Sequence, residues 1–264
     1  MADRIAVISG SSKGIGAGVA MELSSRGAKI VLNYPFPSLE AECRAVGEKL
    51  QTDWIAVCAN LASDDGPEHL VREAVARFGQ IDILVSNAGY VPIAPLWDAD
   101  LDMWDRAMNL NARGAFALVK AALPHLTPYK PGSPPNMSGA LGGSRVIIVG
   151  SAASRVPKAT QGVYAATKGA LDSILRVWAK ELPPKYGCTV NLVAPGPVLT
   201  ESFLEHFTPD EWDKVKELLI RDTPVEGGAA CVEDVAWAVA FLAEERSRFI
   251  NGECMMLSGG VSMI

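Results

Sequence analysis

Along the chain, short runs of consecutive apolar residues alternate with longer stretches in which apolar side chains return every three or four positions. The short runs are Ile5–Ser9, Lys29–Asn33, Trp54–Cys58, Ile81–Val85, Arg145–Val149 and Thr189–Val193. Near-continuous apolarity over five residues suits a strand whose sheet is covered on both faces, which predicts a parallel sheet. The longer stretches, about 14–26, 39–51, 66–78, 99–126 and 160–182, have helical spacing, and Ile15, Val19 and Leu23 share one face of the first. A final helix is expected at about 232–244. Strand–helix alternation from end to end predicts one doubly wound α/β domain over residues 1–264, with helices on both faces of the sheet.

Two stretches interrupt the rhythm. Thr127–Ser144 carries four prolines and four glycines and reads as a surface insertion, because the alternation resumes directly after it. Residues 200–226 are amphipathic, with Phe203, Leu204, Phe207, Trp212, Val215, Leu218 and Leu219 at roughly helical spacing. They lack a strand of their own, so they read as a lid over a substrate site, with Tyr90, Pro92 and Trp97 as the opposite wall.

Composition narrows the function classes. Apolar residues make up 49% and charged residues 20%, so the chain can build a full core. Net charge is −6 with no basic block, which gives a nucleic acid no electrostatic footprint. No run approaches the roughly 20 apolar residues of a membrane span, and a cytoplasmic location is expected. Five separated cysteines and three scattered histidines suggest neither a disulfide framework nor a metal site.

The first strand runs into Gly10-Ser11-Ser12-Lys13-Gly14-Ile15-Gly16 and then into a helix. Glycines at such a junction let backbone N–H groups approach a pyrophosphate, whose charge the helix N-terminus favours. The same residues formally match the G-x-S-x-G elbow of serine hydrolases, with His206 as the only nominee for the base. Only nine residues precede the motif, leaving nothing upstream to build an oxyanion hole. Further on, Tyr164-Ala-Ala-Thr-Lys168 places a phenol and an ammonium on one helix face. The ammonium is expected to lower the phenol's pKa and make it a usable acid or base. A half-buried Tyr and a solvated Lys is the plainer reading of that pair alone.

Six motifs occur in order: Gly10-x-x-x-Gly14-x-Gly16, Asn87-Ala88-Gly89, Asn111, Ser151, Tyr164-x-x-x-Lys168 and Pro195-Gly196. Together they resemble the short-chain dehydrogenase/reductase family over about residues 4–260, which implies a Rossmann-type fold. Ala20–Tyr34 and Leu257-Ser-Gly-Gly260 look most like fungal polyketide ketoreductases of the hydroxynaphthalene reductase type. The resemblance implies Tyr164 as general acid and Lys168 as the group that lowers its pKa and holds the nicotinamide ribose. It implies Ser151 as hydrogen-bond donor to the substrate oxygen and Asn111, rather than Asn109, as holder of a relay water.

The implied cofactor footprint is Gly10, Ser12, Lys13, Gly14, Ile15 and Gly16, then Asn33, Tyr34, Asn60, Leu61, Asn87, Ala88 and Gly89, then Tyr164, Lys168, Pro195, Gly196, Val198 and Thr200. Asn60 stands where many relatives carry an adenine-binding Asp. Asn33 stands at the position where an acidic residue would select a free ribose 2′-hydroxyl. With no carboxylate before Glu40, and with Lys13 in the cradle, NADP(H) is expected. The substrate expected is a carbonyl or alcohol, an aromatic or polycyclic secondary metabolite. Imine reduction, epimerisation and a non-catalytic, cofactor-bound scaffold are the rivals. The resemblance also implies a homotetramer, with apolar faces at Ala115, Phe116, Leu118 and Val119, at Leu171, Ile174, Leu175 and Trp178, and around Met255-Met256.

Overall fold

The computed structural model describes residues 1–128, 143–205 and 207–262. Seven strands form one parallel sheet: β1 (Ile5–Ile8), β2 (Lys29–Tyr34), β3 (Trp54–Cys58), β4 (Ile83–Ser86), β5 (Arg145–Val149), β6 (Thr189–Pro195) and β7 (Cys254–Leu257), in the order β3-β2-β1-β4-β5-β6-β7. The six expected strands are present within a residue or two. The seventh closes the far edge beside β6, pairing Val193 with Met255.

Alternation along the buried strands divides the core in two. Ala6, Ile8, Ile83, Val85, Ile147 and Val149 face α1 (Gly14–Ser25) and the last long helix, Val232–Ala243. Val7, Leu84, Val146 and Ile148 face the other layer, which includes α3 (Gly66–Phe78) and the helices that follow β4 and β5. Between β2 and β3 lies α2 (Glu40–Gly47). Each strand is thus apolar on both sides because each side meets a helix layer.

The stretch expected as one helix over 99–126 is divided into α4 (Leu101–Ala107), a π-helical turn (Met108–Gly114) and α5 (Ala115–Ala122). Gly114 explains where the wide turn can close against the sheet: a Cβ there would lie 2.7 Å from the Leu61 carbonyl oxygen. Next come α6 (Gly162–Tyr186), α7 (Glu201–Leu204), α8 (Pro209–Asp222) and α9 (Val232–Ala243). The expected insertion lies mostly outside the described residues, as does His206. Among the described residues, no helix is long and apolar enough to cross a membrane.

The expected outer faces of α5 and α6 need correction. Ala115, Leu118, Val119, Leu171, Leu175 and Trp178 are buried within the single chain, packed with the strand residues of this face into one core. What remains outside on these two helices is narrower, with Phe116 and Val177 about half exposed.

Candidate active site

Strand order reverses between β1 and β4, and α/β sheets bind their ligands in the crevice beyond the strand ends at that switch point. There, Gly10 and Gly14 have φ of +61° and +56°, which favours glycine. A Cβ on Gly10 would meet the Ala88 backbone at 2.8 Å, so the two strand ends approach as closely as hydrogen allows. Asn87 holds them together: its Nδ2 donates to the carbonyls of Ser9 at 3.0 Å and Gly10 at 2.9 Å. Ser9 Oγ accepts the amides of Asn87 and Ala88.

The turn opens onto α1, whose N-cap is Lys13. No side chain caps this end and no acidic residue occupies its first turn. The free first-turn amides, the positive end of the helix and exposed Lys13 fit a pyrophosphate and a second anionic group. Thr200 lies across the cradle, its Cγ2 3.6 Å from where a Gly14 Cβ would sit. Ser12, Ile15, Pro195, Gly196 and Val198 lie on the same turn or the β6 exit. Asn60, just past β3, accepts the Ala62 amide on its Oδ1 at 3.0 Å.

Asn33 departs from expectation. It is buried, with Oδ1 accepting the Gly10 amide at 3.0 Å and Nδ2 donating to the carbonyls of Val57 at 3.2 Å and Ala59 at 2.9 Å. Its side chain ties the cradle to β3 instead of standing ready for a ribose. Tyr34 and Leu61 are buried too, in opposite core layers. The absence of a carboxylate before Glu40 still holds, and Glu40 itself pairs with Arg44 at 2.8 Å.

At the ends of β4 and β5 the remaining motifs converge. Ser151 caps a short 3-10 turn, its Oγ accepting the Ala153 amide at 3.1 Å, and it also hydrogen-bonds the Tyr164 phenol. Lys168, one helical turn after Tyr164, donates to the Val149 carbonyl at 2.8 Å, and its Nζ lies 5.8 Å from the Tyr164 ring centroid. Gly89 joins this group to the cradle: a Cβ there would lie 3.7 Å from Lys168 Nζ and 3.5 Å from Asn111 Oδ1.

Burial pushes the Tyr164 phenol above its ordinary value, and the Ser151 hydrogen bond only partly opposes this. The lowering expected from Lys168 is not found: desolvation decides the direction, and Ser151 is what opposes it. Lys168 is itself buried, which brings its ammonium down from 10.5 to about 8. Between those values the unfolded chain binds a proton that the folded chain does not. Wild-type stability should consequently rise relative to Lys168→Met from pH 8 to 10.5, by on the order of 3 kcal/mol. Denaturant titrations of both proteins across that range check this; a flat difference would contradict it.

Asn111 lies in the π-turn and is buried. Its Oδ1 accepts the Tyr90 amide at 2.8 Å, while Nδ2 donates to the Tyr90 carbonyl at 2.8 Å and Thr167 Oγ1 at 3.0 Å. Both amide protons are spent, so the expected hold on a relay water would fall to its main-chain carbonyl. Ser9 and Thr167 were not singled out from sequence. The signal available was chemical: a hydroxyl in an apolar, doubly covered element must find a partner.

The segment 200–226 forms α7 and α8. Phe203, Phe207 and Trp212 pack as a cluster with centroids 5.3 to 6.3 Å apart. In α8 only Leu219 is buried, so its apolar face is largely uncovered. Trp97, expected in the opposite wall, projects into solvent.

A family model described as "Enoyl-(Acyl carrier protein) reductase" matches residues 10–262. The short-chain dehydrogenase/reductase FrzI of a Cladobotryum species is 36% identical, covering 98% of this chain and 96% of its own length. A "Probable tetrahydroxynaphthalene reductase" of Zymoseptoria tritici is 33% identical, with 98% and 95% covered. Among solved structures, a short chain dehydrogenase from Burkholderia cenocepacia in complex with NADP has a TM-score of 0.83 at 31% identity, with 98% and 97% covered. The glycine cradle at the switch point and the Ser151, Tyr164 and Lys168 cluster beside it thus belong to an oxidoreductase fold, and this chain is a member of the short-chain dehydrogenase/reductase family.

Proposed function

We propose that the chain is an NADP(H)-dependent ketoreductase acting on an aromatic or polycyclic carbonyl compound of secondary metabolism. The observation that carries it is the junction at Gly89, which sets an uncapped, glycine-lined helix N-terminus beside half-buried Ser151 and Tyr164 and buried Lys168. The names of the fungal relatives support the metabolic setting, and the NADP complex of the Burkholderia protein supports the cofactor.

The cradle amides would hold the pyrophosphate and Lys13 the ribose 2′-phosphate; Lys168 would hold the nicotinamide ribose. When bound, the nicotinamide supplies the hydride. Negative charge then develops on the carbonyl oxygen, and the chain's own groups must absorb it. Ser151 would hydrogen-bond that oxygen, and Tyr164 would give it a proton. Burial, which raises the phenol's pKa, keeps Tyr164 protonated at neutral pH and therefore ready as an acid. The aromatic cluster of α7 and α8 would cover the substrate, and a cytoplasmic homotetramer is part of the same proposal.

Incubation with NADPH and a panel of quinones, aryl ketones and cyclic imines, followed at the reduced-nicotinamide absorbance, tests the reaction class. Turnover of the imines alone would replace ketone reduction with the imine rival. For the cofactor, one charge-assisted contact from Lys13 is worth about 1.5–3 kcal/mol, so NADPH should bind roughly 10- to 150-fold more tightly than NADH. Fluorescence titration reads this directly, and the preference should collapse in Lys13→Ala. Equal dissociation constants in the wild type would remove the assignment.

A further inference from the structure

The hydroxyl of Thr167 sits between two parts of the site that neither touches directly. It is fully buried, accepts Asn111 Nδ2 at 3.0 Å and donates to the Tyr164 carbonyl at 2.7 Å. With one proton and a fixed donor direction, it can satisfy both partners in only one rotamer, so its orientation is determined. Asn111 in turn grips residue 90 at both main-chain groups, as a neighbouring strand would. A continuous chain results: Tyr90 main chain, Asn111 amide, Thr167 hydroxyl, Tyr164 main chain.

We infer that Thr167 is a positioning residue that sets the loop carrying Tyr90 in register with Tyr164, so that a substrate carbonyl lying between them meets the phenol at the right distance. The inference rests on the ketoreductase reading for its catalytic consequence, though not for the geometry. Two features favour positioning over routine packing. The π-turn bearing Asn111 is a departure from regular helix, and such turns persist where a side chain must be aimed. The side-chain polar atoms of Asn111 and Thr167 are all engaged along this run, so one broken link frees the next.

Thr167→Val keeps the shape and removes both hydrogen bonds, leaving one Asn111 proton without a partner. With NADPH and menadione as the probe pair, kcat should fall roughly 5- to 30-fold while the NADPH dissociation constant stays within about twofold. Hydrogen exchange at the Tyr90 amide should quicken by a similar factor, because its acceptor is no longer anchored. Thr167→Ser, which retains the hydroxyl, should restore both readouts. Should the valine variant fail to fold, Thr167→Ala replaces it with the same expectations, since it adds no apolar volume against Asn111. Unchanged kcat and unchanged Tyr90 exchange would overturn the inference, as would a serine variant no better than the valine one. If the wild type turns over no carbonyl, the functional reading fails while Tyr90 exchange still decides the role of Thr167.

Discussion

Tyr164→Phe should lower kcat by 10²–10⁴-fold, the range for loss of a general acid, while NADPH affinity changes little. The variant removes one oxygen and keeps the ring, so packing at the start of α6 persists and Lys168 retains its bond to the Val149 carbonyl. On the barrier scale the loss is about 2.7–5.4 kcal/mol, more than any single packing change at this half-buried position would cost. Ser151→Ala should be milder, because Tyr164 still delivers the proton and only one hydrogen bond to the developing charge is lost. Steady-state kinetics with saturating NADPH, paired with a cofactor titration, separates the two effects. If Tyr164→Phe kept more than about a tenth of wild-type turnover, the Tyr164-x-x-x-Lys168 motif would have to be structural.

The sheet was legible because every central strand is covered twice, which leaves a run of apolar residues that no surface strand would show. The cradle was legible because glycine is the residue that tolerates both positive φ and a neighbouring backbone at van der Waals contact. Other features were hidden for definite reasons. The apolar spacing from Leu101 to Ala122 was read as one continuous helix and did not reveal the π-turn; Gly114 was the local sign. Asn33 was placed at the ribose from its spacing of about 20 residues after the glycine-rich turn. Strand alternation puts it on the same face as Val31, toward β3 carbonyls that need donors. The phenol's pKa was misjudged for a third reason, because a charge at i+4 can be read from spacing while the depth of burial cannot. Burial also accounts for the shortfall of apolar surface on α5 and α6, where residues that look surplus to one sheet face are in fact spent on it.

Gly16→Val should weaken NADPH binding by at least about 100-fold. A Cβ at Gly16 would fall 2.2 Å from the Gly10 carbonyl oxygen and 2.6 Å from Asn87 Nδ2, two atoms that are themselves hydrogen-bonded at 2.9 Å. Neither can yield alone. Moving the Gly10 carbonyl shifts the cradle turn, and moving the Asn87 amide unties β4 from β1. Overpacking of this kind costs about 1–3 kcal/mol, and the severed hydrogen bonds add to it. Because the strained contact lies inside the phosphate-binding turn, the damage should concentrate there: 3 kcal/mol converts to roughly 150-fold in a dissociation constant. Gly79→Val supplies the contrast. Gly79, unlike Gly16, has positive φ, at +87°, but a Cβ there meets nothing within 4 Å, and it lies at the end of α3, on the opposite side of the sheet from α1. That variant should lose stability through backbone strain alone and bind NADPH as the wild type does. Thermal unfolding and fluorescence titration of both variants distinguish the cases. Wild-type affinity in Gly16→Val would mean that the turn from Gly10 to Gly16 does not hold the cofactor.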